Sequence, residues 1–250
     1  MSLKAFTTLF FLIGPGLTLI KGGLIQGPTA MVPAARLSMG AAYEYNYLTI
    51  WDQEYLSQIS RYVGKISYGP AHWFNLHLLA GASEQDVATP QKKQLFDGKL
   101  GYLAGGGARL SSPNLFGSKF KLYGYFTGNL FESSDTLKNH YRGIEYHGGG
   151  GGVIEIGKIG AAAFGVEALH VEGEYSEALK TTSTSTNKFS NKEKIRGYFS
   201  LDYYLPIDPE LSKGITYLGI ELKGFDNHNW GLAVSVGQIT DRLYGKGENQ

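Results

Sequence analysis

Beyond residue 35 the dominant pattern along the chain is alternation with a period of two, the spacing of a strand with one apolar and one polar face. In the first run Leu37, Met39, Ala41, Tyr43, Tyr45 and Tyr47 share one face, and Arg36, Ser38, Gly40, Ala42, Glu44 and Asn46 the other. The second sets Tyr62, Ile66 and Tyr68 against Arg61, Val63 and Lys65, and ends at Gly69-Pro70, a turn signal. Phe74, Leu76 and Leu78 then oppose Asn75 and His77, while Phe96, Gly98, Leu100 and Tyr102 oppose Asp97, Lys99 and, further along, Arg109. The same alternation recurs near 119–130, 144–156, 161–174, 194–203, 217–223 and 230–237. It predicts about ten strands of roughly 11 to 16 residues.

The two faces differ in charge. The polar one carries Arg36, Glu44, Arg61, Lys65, Asp97, Lys99, Arg109, Lys119, Lys121, Glu145, Glu155, Glu167, Lys194, Arg196, Asp202, Glu221 and Lys223. The apolar one carries no charge within the strand cores; Arg142 and Glu172 stand only at strand ends. Periodicity alone also fits a soluble sandwich or barrel. Strand length decides between them, because these runs exceed the globular mode of about 5–6 residues and suit the roughly 9–11 needed to cross a bilayer at a tilt. Two aromatic belts fit the same reading: Tyr47, Phe96, Tyr146 and Trp230 near one edge of the apolar band, and Tyr68, Phe74, Phe120 and Tyr203 near the other. Outer loops are expected near 49–57, 83–94, 132–140, 175–192 and 226–229, with turns on the opposite side near 69–71, 111–118, 157–160 and 206–214.

Composition then narrows the options. The 250 residues suffice for one large all-β domain, and 35 Gly, 17 Tyr and 13 Phe suit twisted sheet and aromatic girdles. With 23 basic and 22 acidic residues the chain lacks the basic footprint of a nucleic-acid partner. The absence of cysteine excludes disulfides, thiolate metal sites, a cysteine nucleophile and a lipoprotein anchor. Lys4 and the apolar run Ala5–Ile20 read as a secretory signal over residues 1–22, without a clean cleavage site. A short periplasmic segment over 23–35, a barrel over 36–240 and a polar tail over 241–250 complete the expected organisation.

Over roughly residues 36–240 the sequence resembles the bacterial outer-membrane β-barrel class: a single antiparallel up-and-down barrel, eight to twelve strands, in the bacterial outer membrane. No single family motif matches. Chains of that class end on a strand with a terminal aromatic; here the last run ends near Ile239, and Thr240–Gln250 follow. The resemblance implies contact with outer-membrane lipids and lipopolysaccharide, and through the outer loops with another envelope protein.

Several residues bear on chemistry. The polar face has ten Lys or Arg and seven Asp or Glu, which suits a side-chain-filled lumen with paired charges. The lumen-lining set most able to act is Arg36, Glu44, Arg61, Lys65, Lys99, Arg109, Lys121, Glu145, Glu155, Arg196 and Glu221. A narrow, mildly anion-preferring pore lined by Arg36, Arg61, Lys65, Lys99, Arg109 and Lys121 is the alternative, favoured by inward glycines (Gly101, Gly105, Gly107, Gly149, Gly151) that reduce filling. Gly148–Gly152 lacks the Lys-Ser/Thr and helix of a phosphate-binding loop. Glu84-x-Asp86 and Asp226-x-His228 resemble the paired acids and Asp-x-His pair of the omptin proteases, a rim hydrolase in which His held by Asp activates water. The acidic pair is not Asp-x-Asp and the loop placement differs. His147, between Glu145 and Glu155 on one face, is expected to hydrogen-bond rather than hold a metal, and no cofactor is expected. Trp51 and Tyr55, with Ile50 and Leu56, make loop 49–57 too apolar to be idle and suggest a packed cap or a partner contact. The leading expectation is a non-enzymatic barrel with a structural, surface-interaction or envelope-complex role.

Overall fold

The computed structural model describes residues 36–50, 55–89, 94–116, 119–156, 159–177, 185–191, 194–205, 214–226 and 229–240. The expected signal segment, the periplasmic segment, Trp51, His228 and the polar tail lie outside them. The described residues form twelve strands: β1 (Leu37–Ile50), β2 (Tyr55–Ala71), β3 (Phe74–Ala88), β4 (Gln94–Asp97), β5 (Gly101–Ser111), β6 (Phe120–Ser134), β7 (His140–Ile156), β8 (Gly160–Glu177), β9 (Ser185–Ser190), β10 (Ile195–Leu205), β11 (Gly214–Asp226) and β12 (Asn229–Thr240). β4 and β5 are two parts of one wall strand, both on β3, and β9 and β10 are two parts of another, both on β8. The result is an antiparallel barrel of ten wall strands, closed where β12 pairs with β1 from Ser38↔Ile239 to Tyr47↔Trp230. Closure leaves the wall without an open edge at the height of the apolar belt, so the backbone groups inside a bilayer are paired within the protein; only β4 and β9, at the upper end, pair on one side alone among the described residues.

The alternation now has physical content. Outward positions at mid-height, among them Ile66, Leu78, Leu122, Phe126, Phe164, Leu201, Ile220, Leu222 and Val234, are large, apolar and exposed. A continuous belt of that kind is untenable in water and is what a lipid-facing wall requires. At its upper edge Trp230 packs with Tyr45 and Tyr47, ring centroids 5.2 and 6.3 Å apart. Above the belt the strands continue into segments expected to be loops: β3 reaches Ala88, β6 Ser134, β8 Glu177. Their outward side chains turn polar there, with Glu84, Asp86, Glu132, Arg142, Glu172 and Glu174 forming a charged collar.

Of the register shifts in the wall, two move side chains between the outer face and the core. β3 pairs Ser83 with Gly101 and Asp86 with Asp97, so two residues face three, Gly98, Lys99 and Leu100. One extra residue flips every side chain beyond it to the other face. Phe96, expected in the upper aromatic belt, is therefore buried inside the barrel at 2% exposure, and Asp97 is exposed. Lys99, expected to line the lumen, is exposed at the bulge, its amide bonded to Ser134 O at 2.7 Å. Between Ala168↔Ile195 and Glu172↔Ser190 one side advances four positions and the other five. That second bulge turns Phe189 inward and leaves Lys194 exposed; Asn191 fills the inner side, accepting from Val171 N and donating to Leu169 O, both at 2.9 Å.

The interior is layered. Its upper half is an apolar core that includes Leu48, Ile59, Leu103, Phe131, Tyr141, Val171 and Phe189, with Tyr141 stacked on Phe189 at 4.1 Å. The middle is charged, and the lower half is rich in tyrosine. Inward glycines do not leave open space. A Cβ at Gly149 would come within 2.9 Å of the Tyr125 hydroxyl, at Gly165 within 2.6 Å of the Tyr198 hydroxyl, and at Gly107 within 2.8 Å of His77 Nε2. Each bare position is the seat of a large side chain from the next strand.

Placing a charge on the belt should cost far more than on the collar. Ile220→Arg is expected to lose about 2–4 kcal/mol in urea unfolding from lipid vesicles, and Glu172→Arg under about 1 kcal/mol.

Candidate functional site

The feature that concentrates chemistry is the band of charge across the lumen. Alternation points Glu44 and Asn46 inward from β1, Arg61 from β2, Glu145 and His147 from β7, Glu167 from β8, Arg196 from β10, and Glu221 and Lys223 from β11. All are buried. Arg61 donates to Glu145 through both ends of its fork, at 2.7 and 2.5 Å, and reaches Glu44 at 3.5 Å. Since β2 and β7 lie on nearly opposite sides of the ring, that pair spans the barrel. His147 Nε2 contacts Glu145, and its Nδ1 lies 3.3 Å from Glu167. Glu167 also receives Arg196, with Nε and Nη2 at 2.9 and 2.7 Å, Tyr125 Oη at 2.5 Å and Lys223 at 3.4 Å. Lys223 bonds Glu221 at 2.8 Å and lies 3.7 Å from Glu44, and Arg196 Nη1 donates to Asn46 at 2.9 Å. Charges taken out of water are tolerable only when paired like this, and such a web ties seven of the ten wall strands together once Asn129 of β6, bonded to Glu145 at 3.1 Å, is included.

Below it, Lys65 and Arg109 point inward with His77, which bonds Thr127 Oγ1 at 2.9 Å. The Arg109 guanidinium lies over the Tyr123 ring at 4.5 Å, and Tyr123 and Tyr198 touch through their hydroxyls. Lower still, Lys121 and Glu155 form a half-exposed pair at 2.6 Å, and Arg36 stands at the rim, its carbonyl accepting from Gly69 N at 3.2 Å.

Of the expected lumen set the structure thus brings Glu44, Arg61, Glu145, Arg196 and Glu221 into one network, sets Lys65 and Arg109 beneath it, and leaves Lys121, Glu155 and Arg36 near the lower mouth. Lys99 is on the outside. His147 meets Glu145 and Glu167, not Glu155, which Lys121 holds. Among the described residues no group of three or more His, Asp or Glu could hold a metal ion. Of the residues expected for a rim hydrolase, Glu84 and Asp86 point away from the lumen on β3, β11, which ends at Asp226, stands four strand positions from β3 around the wall, and His228 lies outside the described residues. Tyr55 is half-buried and packs against the upper core. Sequence reasoning put Glu167 and Lys223 on the polar face without singling them out, although both are hubs. It missed the upper core, whose signal was paired apolar neighbours such as Leu78-Leu79, Leu130-Phe131 and Tyr47-Leu48, where both faces are apolar.

A closed, even-stranded antiparallel barrel with an apolar belt outside and charges inside defines a transmembrane β-barrel of the bacterial outer-membrane type. No family model matches the chain, and no curated protein matches it. Among solved structures it is similar to the transport unit of the autotransporter AIDA-I from Escherichia coli (10% identity, 95% of this chain and 96% of that one, TM-score 0.46). It is also similar to the outer-membrane protein OprG from Pseudomonas aeruginosa (10%, 85% and 99%, 0.42) and to an outer-membrane channel from Pseudomonas putida (7%, 87% and 100%, 0.49).

Removing one partner of the spanning pair leaves a buried charge uncompensated. Arg61→Met should cost roughly 3–5 kcal/mol, whereas Lys121→Met at the mouth should cost under about 1 kcal/mol in the same unfolding assay.

Proposed function

We propose that the protein is a closed, non-conducting and non-catalytic barrel of the bacterial outer membrane, acting through its wall and upper rim as a structural or surface-interaction component of the envelope. The observation that carries this reading is the Arg61–Glu145 pair, which crosses the lumen beneath a packed upper core of buried apolar and aromatic side chains, where the polar groups are themselves buried and Gln85 is bonded to Ser57 at 2.7 Å. A pore lined by Arg36, Arg61, Lys65, Lys99, Arg109 and Lys121 loses its continuity: Arg61 is consumed by Glu145 and Glu44, Lys121 by Glu155, and Lys99 is outside. The non-catalytic part is supported by the orientation of Glu84 and Asp86, which point away from the lumen.

The upper rim is where partners are expected. Strands that rise above the belt present the charged collar to lipopolysaccharide headgroups, and the upper loops to another envelope protein. On the outer wall a groove of about 740 Å³ runs from the apolar Tyr102 and Leu130 to Arg142, Glu174 and Lys188, so its floor continues the lipid-facing surface and its rim is charged.

Purified protein in planar bilayers should give no steady single-channel steps. Nanosiemens-range steps from the wild-type protein would overturn the closed-lumen reading, and peptide or lipid cleavage that disappears in His228→Ala would overturn the non-catalytic one.

A further inference from the structure

Where the belt gives way to the collar, the outer wall is not smooth. On β6 to β9 the outward side chains form two rows that follow the strand pairing. The lower row is Leu130, Ile144, Glu172 and Ser190, and the upper is Glu132, Arg142, Glu174 and Lys188. Between them run Gly143 and Gly173, flanked by Phe131 and Phe189, whose rings are buried in the core. The groove of about 740 Å³ lies over this middle row. Its bottom is the bare backbone of the two glycines, backed from inside by Phe131 and Phe189, whose rings stand 2.9 and 2.6 Å from where a Cβ would be. Paired strands and packed rings fix that floor in advance. A volume of 740 Å³ is within the roughly 300–1,000 Å³ of small-molecule sites, so it takes part of one amphiphile rather than a protein segment.

The two sides of the groove differ in chemistry. Tyr102 and Leu130, each about half exposed, continue the lipid-facing belt and suit hydrocarbon. The opposite side carries Arg142, Glu174 and Lys188, with Glu172 at the end of the lower row. Glu174 takes Nε of Arg142 at 2.6 Å and also contacts its Nη2, which holds the guanidinium while its side chain stays 61% exposed. A molecule complementary to this surface brings three things. It needs an acyl chain for the floor, an anionic group for the two cations, and hydroxyl donors for the two carboxylates, which only accept hydrogen bonds. A lipid whose headgroup is only a phosphate sets its charge against Glu172 and Glu174. A phosphorylated glycolipid meets all three requirements.

We infer that this groove is a binding site for lipopolysaccharide, with an acyl chain along Tyr102 and Leu130, a phosphate at Arg142 and Lys188, and sugar hydroxyls donating to Glu172 and Glu174. The inference rests on the reading in which the upper rim meets lipopolysaccharide, and it narrows that contact to one place on the wall.

Native mass spectrometry of the full chain in uncharged detergent tests it, with rough-type lipopolysaccharide, phosphatidylglycerol and phosphatidylethanolamine as probes at equal concentrations. One lipopolysaccharide is expected to bind at least about tenfold more tightly than either phospholipid. Arg142→Gln removes a charge-assisted donor and Ser190→Trp fills the groove without touching its charges; each should weaken that binding about fivefold or more, while Glu84→Gln, on the collar at β3, stays within about twofold of wild type. Lipopolysaccharide held tightly but equally by wild type and both groove variants would overturn the site and leave the collar reading standing. Lipopolysaccharide bound no more tightly than the phospholipids would overturn both. Should Arg142→Gln lack the heat-modifiable gel mobility of a folded barrel, Ser190→Trp decides, since its side chain lies on the exposed face of β9.

Discussion

In a hydrocarbon layer no water is available to backbone N–H and C=O groups, so a wall of strands must pair every edge with another strand. The ten residue pairs between β1 and β12, from Ser38↔Ile239 to Tyr47↔Trp230, meet that requirement, and the remaining architecture follows from it. A closed wall has an inside and an outside, and the two-residue repeat assigns each side chain to one of them. The outside faces lipid and must be apolar at mid-height. The inside is too narrow for bulk water and must be filled, so whatever polar groups it holds must satisfy one another.

The fill varies with height. Near the top most large inward side chains are apolar or aromatic and pack as a globular core would, with a few buried polar groups such as Gln85 and Ser57 bonded to each other. At mid-height Glu44, Arg61, Glu145, His147, Glu167, Arg196, Glu221 and Lys223 trade partners across the barrel, so removing any one strands its neighbours. In the lower half, tyrosines lie over glycines of the next strand: Tyr125 on Gly149 and Tyr198 on Gly165. Inward glycine, which taken alone suggests a less filled interior, is here a means of filling it, because a tyrosine ring can lie flat only where its neighbour lacks a Cβ.

The bulges at 98–100 and between Ser190 and Ile195 have a common effect. Both lie on the upper side of the barrel, and both redirect an aromatic, Phe96 or Phe189, from the lipid face into the core. Without the extra residue each ring would stand outward in the charged collar and a polar neighbour would enter the apolar layer. Local disruption of the ladder is thereby exchanged for a filled interior.

Alternation, strand length and the one-sided placement of charge were enough to establish from the sequence an all-β barrel of about ten strands with a lipid-facing belt. They also placed Glu44, Arg61, Glu145 and Arg196 inside, because parity along a single strand is a local property. Which inward charges meet is not local. Arg61 and Glu145 are 84 residues apart and come together only because curvature and closure put β2 across from β7. The same limit explains Lys99 and Phe96: a one-residue bulge reverses parity, and it is set by the partner strand's register, which no window along the chain contains. Whether a glycine opens space or seats a neighbour's ring is likewise decided across strands. The sequence by itself determined the two faces of the wall; tertiary structure decided what fills it, because filling depends on which strands lie opposite one another.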